Sequence, residues 1–77
     1  MNEKIYCNIM NRIRKIARAN GEPSDNNVFV TIRLIGGDSF YTELGCVSLE
    51  DGYIQAWSPK KEAYCFVPVS NILSIEV

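Results

Sequence analysis

Two short apolar runs close the chain, and they constrain its fold more than any other feature. Residues 64–67 and 72–77 are rich in β-branched and aromatic side chains, and the turn-forming residues 68–71 separate them. Proline cannot donate a hydrogen bond to a sheet ladder, so the first run should end at Pro68. The two runs therefore predict paired edges of a β-structure, and the preceding chain must supply the rest of it.

The chain begins with a helical pattern over residues 3–19. Asn20 and Gly21 form a typical helix stop, and Pro23 lies just beyond them. Four isoleucines recur at the helical period and predict the buried stripe of an amphipathic helix: Ile5, Ile9, Ile13 and Ile16. Tyr6, Met10 and Ala17 widen that stripe on one side.

A polar connector, residues 20–27, separates this helix from five strand-like segments. These segments are residues 28–35, 39–47, 53–57, 64–67 and 72–77, joined by short turns. Gly45 inside the second segment permits a sharp bend. The sequence therefore predicts one mainly β domain over residues 1–77, an N-terminal α-helix followed by a bent five-stranded antiparallel SH3-like barrel at 28–77.

Charge is distributed unevenly along the 77 residues, although the net charge is only −1. Residues 1–21 hold five basic residues and one acidic residue, whereas residues 22–77 hold three basic and eight acidic ones. Arg14, Lys15 and Arg18 are candidates for contacts with nucleic-acid phosphates. The alternative is that they form the solvated face of an ordinary amphipathic helix.

The residue inventory argues against catalysis, metals and disulfides. The chain has no histidine, and its three cysteines are widely spaced at Cys7, Cys46 and Cys65. No catalytic residue, metal site or cofactor is predicted, and the cysteines are expected to be reduced and structural in a cytoplasmic protein. No apolar run approaches the ~20 residues that a membrane span requires, so no membrane association is expected.

Two motifs carry a resemblance to a known family. Leu34, Gly37, Phe40 and Leu44 have the spacing of its first motif, and residues 69–75 resemble its second, an isoleucine-centred turn into the last strand. In these residues and in its order of elements the chain resembles the Sm-like family (LSm and Hfq-like proteins). The resemblance implies a homo-oligomeric ring of about five to seven subunits that binds RNA or a nucleotide.

The resemblance also suggests where contacts lie. It implies ligand contacts in the turns that contain Asp51, Tyr53, Ser70 and Asn71, and ring contacts through the last two strands. The interface candidates are Tyr64, Phe66, Ile72, Leu73 and Ile75. The chain departs from the family at Thr42, where glycine is common, and it lacks the basic turn of the second motif.

Two function classes follow and stay open at this stage. One is a nucleic-acid-binding ring, and the other is an oligomer that sequesters a small ligand or serves as a protein scaffold without binding RNA. For Ser70 and Asn71 the alternative role is to satisfy the backbone of their own turn. Arg33 is expected to pair with Glu43 across the first hairpin.

Overall fold

A computed structural model describes all residues, 1–77, as one helix followed by six strands. The helix is α1 (Glu3–Ala19), and two short 3-10 turns, η1 (Leu44–Cys46) and η2 (Val69–Asn71), interrupt the strands. The strands are β1 (Phe29–Leu34), β2 (Ser39–Glu43), β3 (Val47–Leu49), β4 (Tyr53–Ser58), β5 (Ala63–Pro68) and β6 (Ile72–Glu76).

Local signals set both ends of α1, and its predicted bounds are confirmed. The Asn2 side chain accepts a hydrogen bond from the backbone N–H of Ile5 at 2.9 Å, which caps the first turn. The helix stops at Asn20, and Gly21 follows with a φ of 93°. The buried residues are Ile13 and the three that widen the predicted stripe, Tyr6, Met10 and Ala17. The prediction is wrong for Ile5 and Ile16, which are 46% and 47% exposed.

The strands form two antiparallel three-stranded sheets. Their orders are β2-β1-β6 and β3-β4-β5. The predicted strand at 39–47 is broken by η1 into β2 and β3, which raises the strand number from five to six. The structure confirms the leading helix and the antiparallel β-rich domain, and it shows two sheets where a closed five-stranded barrel was expected.

Gly45 lies at the break between β2 and β3, where a bend was predicted. Its N–H donates to the Asp25 carbonyl at 3.2 Å, so the connector crosses the chain here. A Cβ at this position would lie 2.9 Å from Asn26 Oδ1. The nearest backbone atoms, those of Asp25, would lie at 3.6 Å, so a larger residue here would need only the exposed Asn26 side chain to move.

The core lies between the two sheets and α1. Fourteen hydrophobic residues are buried in one cluster, which includes Val30 and Ile32 on the predicted valine face of β1. Thr42 is fully buried, and its hydroxyl donates to the Trp57 carbonyl at 2.6 Å. Because β2 and β4 belong to different sheets, this hydrogen bond joins the two sheets directly.

The predicted pairing of Arg33 with Glu43 is wrong. Glu43 lies opposite Phe29 in the β1–β2 register, and Phe29 is four residues away from Arg33 along β1. Arg33 instead forms an ion pair with Glu76 of β6, on the other side of β1. The contact is solvent-exposed, so it contributes little to stability.

Candidate ligand-binding and assembly surfaces

The two turns that the resemblance linked to ligands lie side by side. The N–H of Val69 in η2 donates to the Gly52 carbonyl at 2.9 Å. Gly52 N–H in turn donates to Glu3 Oε1 at 2.6 Å, which ties the start of α1 to the same place. The amino group of Met1 donates to the Ile72 carbonyl at 2.8 Å. Three chain segments therefore meet at this end of the domain: the first contains Met1 and Glu3, the second Gly52, and the third Val69 and Ile72. We call this end of the domain the turn end.

The structure brings four predicted site residues to the turn end. Asp51 and Ser70 are exposed, and Asn71 is half-buried with its carbonyl accepting from Ile35 N–H at 2.9 Å. Tyr53 is 39% exposed, and its ring centroid lies 6.5 Å from that of Phe66. The candidate set Asp51, Tyr53, Ser70 and Asn71 is thus a spatial group, and Tyr53 is its aromatic member.

The three basic site candidates lie elsewhere, in the last two turns of α1. Arg14 Nε donates to Asp25 Oδ2 at 2.9 Å, and Arg18 pairs with the other carboxylate oxygen of Asp25. Arg18 also donates to the Ser24 carbonyl at 2.8 Å. Two of the three predicted phosphate ligands therefore fasten the connector to the helix, and only Lys15 is unpaired and exposed.

This Arg14–Asp25–Arg18 cluster predicts a pH-dependent stability. The hydrogen bond from Arg14, together with that from Arg18, lowers the pKa of Asp25 from its usual 3.8. A carboxyl with a lowered folded-state pKa stabilises the fold above its unfolded pKa, and that contribution is lost as the pH falls through the folded value. We expect Asp25→Asn to cost about 1 kcal/mol at pH 7, since both arginines are partly solvated.

Urea unfolding at pH 7 and at pH 3 measures the difference in unfolding free energy between wild type and Asp25→Asn. This difference should be smaller at pH 3. Asp38→Asn is the matched control, because Asp38 is 73% exposed and lies 3.7 Å from its partner, Lys61. We expect that variant to change stability by less than about 0.5 kcal/mol at either pH. Equal stability of Asp25→Asn and wild type at pH 7 would contradict the structural role of the cluster.

The outward face of α1 is basic and rich in amides. Lys4 and Lys15 lie on it at the two ends of the helix, and Asn8 and Asn11 lie between them at the helical period. All four are exposed, as is Arg12 beside them. We call this set, with Arg12, the helix face. It carries three cations without a salt-bridge partner and no carboxylate between residues 4 and 19.

β5 and β6 are edge strands that follow each other along the chain, as are β2 and β3, and each of the four pairs with a single neighbour. Tyr64 and Phe66 on β5 are 59% and 63% exposed, and Leu73 on β6 is 62% exposed. Ile72 is different, because it is 1% exposed and belongs to the core of its own chain. Ile75 is half-buried against that core, so only three of the five interface candidates are freely available.

Aromatic side chains lie along the outer face of the β3-β4-β5 sheet, and of these Trp57 was not among the predicted site residues. Trp57 pairs with Tyr64 in the strand register, and their rings meet edge to face at 5.0 Å. Gln55 lies between Tyr53 and Trp57 along β4 and directly opposite Phe66 on β5. The alternation of residues 53, 55 and 57 along one strand was the signal that places them on one face.

Beside Trp57 the sheet carries a groove of about 320 Å³. Its lining combines aromatic rings, backbone and small polar groups: Gly45, Cys46, Val47, Ser48, Gln55, Trp57 and Tyr64. A second groove, of about 290 Å³, lies between α1 and β1 and has a more apolar lining that includes Ile16, Phe29 and Val77.

The three cysteines are free, and they differ in exposure. Cys7 and Cys65 are half-buried against the core, whereas Cys46 is exposed, contrary to a purely structural role. Partial burial, and then the nearby carboxylate of Glu43, raise the pKa of the Cys46 thiol. Its sulfur donates to Glu43 Oε2 at 3.4 Å, and this neighbouring carboxylate disfavours the thiolate. No group of three or more His, Cys, Asp or Glu side chains is placed to hold a metal ion.

Comparisons of the chain with protein-family models, with curated proteins and with solved structures found no match. The helix α1 lacks the length and apolar character needed to cross a membrane.

Proposed function

We propose that the protein is a non-enzymatic, Sm-like module that assembles into a homo-oligomeric ring and binds single-stranded RNA. The observation that carries the proposal is the pair of exposed apolar edge strands, β5 and β6. In this Sm-like interpretation β2 and β3 are one strand bent at η1, which restores the expected five-stranded barrel order.

The two edges favour a head-to-tail contact between copies. β5 and β6 lie in different sheets of one chain, so β5 of one subunit can pair with β6 of the next. Such a contact is heterologous, and it closes into a ring when the rotation between subunits allows. The resemblance implies about five to seven subunits. Phe66 and Leu73 would then be covered by the neighbouring subunit.

RNA binding is assigned to the helix face. Lys4, Arg12 and Lys15 are exposed cations along one helix, and a ring repeats this set in every subunit. Neutralising phosphates with such cations releases counterions, which makes binding strongly salt-dependent. The turn end, with Asp51, Tyr53, Ser70 and Asn71, supplies a stacking ring and hydrogen-bonding groups nearer the start of α1.

The test is a salt titration of RNA binding with Lys4, Arg12 and Lys15 all changed to Ala. We expect weaker binding of a single-stranded RNA. The slope of log K against log salt concentration should become shallower by about two, because each lost phosphate contact reduces its magnitude by roughly 0.7. Arg33→Ala, which removes an exposed cation from the first sheet, is the control and should leave the slope within about 0.5 of wild type. An unchanged slope in the triple variant would remove the helix face from the proposal.

A second candidate is an oligomer that sequesters a small apolar ligand or serves as a protein scaffold, without RNA. Two observations favour it: Arg14 and Arg18 are occupied by Asp25, and the groove between α1 and β1 is largely apolar. Light scattering and a native mass spectrum of the purified protein separate the candidates. Rings that carry no nucleic acid and bind no RNA at low salt would favour the second.

A further inference from the structure

The groove beside Trp57 has the components of a site for a flat heterocyclic ring. Trp57 and Tyr64 meet at an interplanar angle of 70°, so each ring keeps at least one face that the other does not cover. Uncovered aromatic faces bind bases by stacking, which is worth roughly 1–3 kcal/mol per base. The groove, at about 320 Å³, is large enough for one such ring.

Polar groups line the same groove. Ser48 on β3 lies opposite Gln55 on β4, and both line the groove. The Gln55 amide offers two donors and one acceptor, and the Ser48 hydroxyl offers one donor and further acceptor capacity. A base edge presents donors and acceptors in one plane, which is the pattern that amide and hydroxyl groups recognise.

Charge is arranged along the groove in one direction. Lys60 and Lys61 follow Trp57 in the β4–β5 turn and are exposed, as is Glu62 in the same turn, so the turn carries a net charge of +1. Carboxylates lie on the opposite, β3 side: Glu43 contacts the Cys46 sulfur, and Glu50 lies 3.4 Å from the Ser48 hydroxyl oxygen. An anionic group attached to the ring would therefore lie toward the lysines. Lys61 has only a 3.7 Å contact with the exposed Asp38, so it can exchange partners.

We propose that this groove binds the base of a nucleotide between Trp57, Tyr64 and Gln55, with its phosphate directed toward Lys60 and Lys61. The base belongs either to a free nucleotide or to a single-stranded nucleic acid. The second source rests on the proposed RNA-binding function, whereas the first does not. The site is distinct from the turn end and from the helix face.

Trp57 is the only tryptophan, so its fluorescence reports on this groove alone. Adenosine monophosphate, uridine monophosphate and short oligo(A) and oligo(U) RNAs are titrated into the protein. Saturable quenching of Trp57 emission is expected. Quenching by the mononucleotides identifies a free-nucleotide site, and quenching by the oligonucleotides alone identifies a nucleic-acid site. No change in emission with any probe up to millimolar concentration overturns the proposal.

Variants give the second measurement, by anisotropy of a labelled mononucleotide or oligonucleotide. Trp57→Leu should weaken binding about 5- to 100-fold, as expected for a lost stacking contact, and Gln55→Ala by about 5-fold or more. Tyr41→Leu is the control, because Tyr41 is 50% exposed on the other sheet and should bind as wild type. Circular dichroism checks the fold of Trp57→Leu, and Gln55→Ala keeps the test decisive if that variant unfolds. Wild-type affinity in Gln55→Ala and in a folded Trp57→Leu variant overturns the proposal.

The outcomes also separate this site from the proposed function. RNA binding that depends on the helix face, with unchanged Trp57 emission, overturns the groove and leaves the proposed function standing. Mononucleotide quenching without any RNA binding supports the groove and overturns the RNA function.

Discussion

Phe66→Lys and Leu73→Lys together are expected to convert the proposed oligomer into folded monomers. Each side chain is more than 60% exposed in the single chain, so neither replacement disturbs the core. Covering a large apolar side chain is worth about 1.5–3 kcal/mol, and a buried, unpaired lysine adds a further penalty. The subunit dissociation constant should therefore rise by about 100-fold or more, as measured by size-exclusion chromatography with light scattering.

The single variants test whether the contact is head-to-tail. A Phe66→Lys subunit keeps an intact β6, and a Leu73→Lys subunit keeps an intact β5. Each should be monomeric alone, and a mixture of the two should form a one-to-one dimer that cannot grow. An isologous contact would show no such complementation.

Tyr41→Lys is the matched control for these edge variants. Tyr41 is 50% exposed, and it lies on β2, whose end continues into η1 and β3 rather than into the proposed contact. That variant should remain an oligomer. A well-folded wild-type monomer at micromolar concentration would overturn the ring proposal.

Ile13→Ala should destabilise the fold by about 2–5 kcal/mol, whereas Ile16→Ala should cost less than about 1 kcal/mol. Ile13 is 6% exposed in the core, and Ile16, three residues along the same helix, is 47% exposed. Both changes improve helix propensity equally, so the difference between them isolates burial. Urea unfolding of the two variants side by side measures it, and equal costs would show that α1 is packed on a different face.

This pair of isoleucines also shows what the sequence of α1 could and could not predict. The caps at Asn2 and Asn20 are local, and the helix bounds were predicted correctly from the period and the stop signal. The chain carries two overlapping apolar stripes that share Ile13, one of isoleucines and one containing Tyr6 and Met10. Only the surface against which a helix packs selects between them, and that surface is not a local property.

The same distinction applies to the sheets and the site. The alternation of apolar and polar residues predicted the buried face of β1 and the approximate position of each strand, because both depend on residues that are close in sequence. The Arg33–Glu76 pair was missed because β6 lies beside β1 only through long-range pairing. The turn end was predicted as separate ligand turns, and their contact through Gly52 and Val69 was visible only in the structure. The hydrogen bond from Gly45 in η1 to the Asp25 carbonyl of the connector is likewise a long-range contact that only the structure shows.

The position of β1 at the centre of its sheet has a consequence for how the chain is made. One of its two partners is β6, so Thr31 pairs with Glu76 near the far end of the sequence. While the ribosome is still adding residues 72–76, β1 has only its hairpin partner, and the core lacks Ile72. Contacts of such long sequence separation form late and make folding slow. Folding should therefore finish only after synthesis of these residues. A nascent chain that still lacks residues 72–76 has an incomplete first sheet and no β6 edge, so the head-to-tail contact proposed above could form only after that sheet closes.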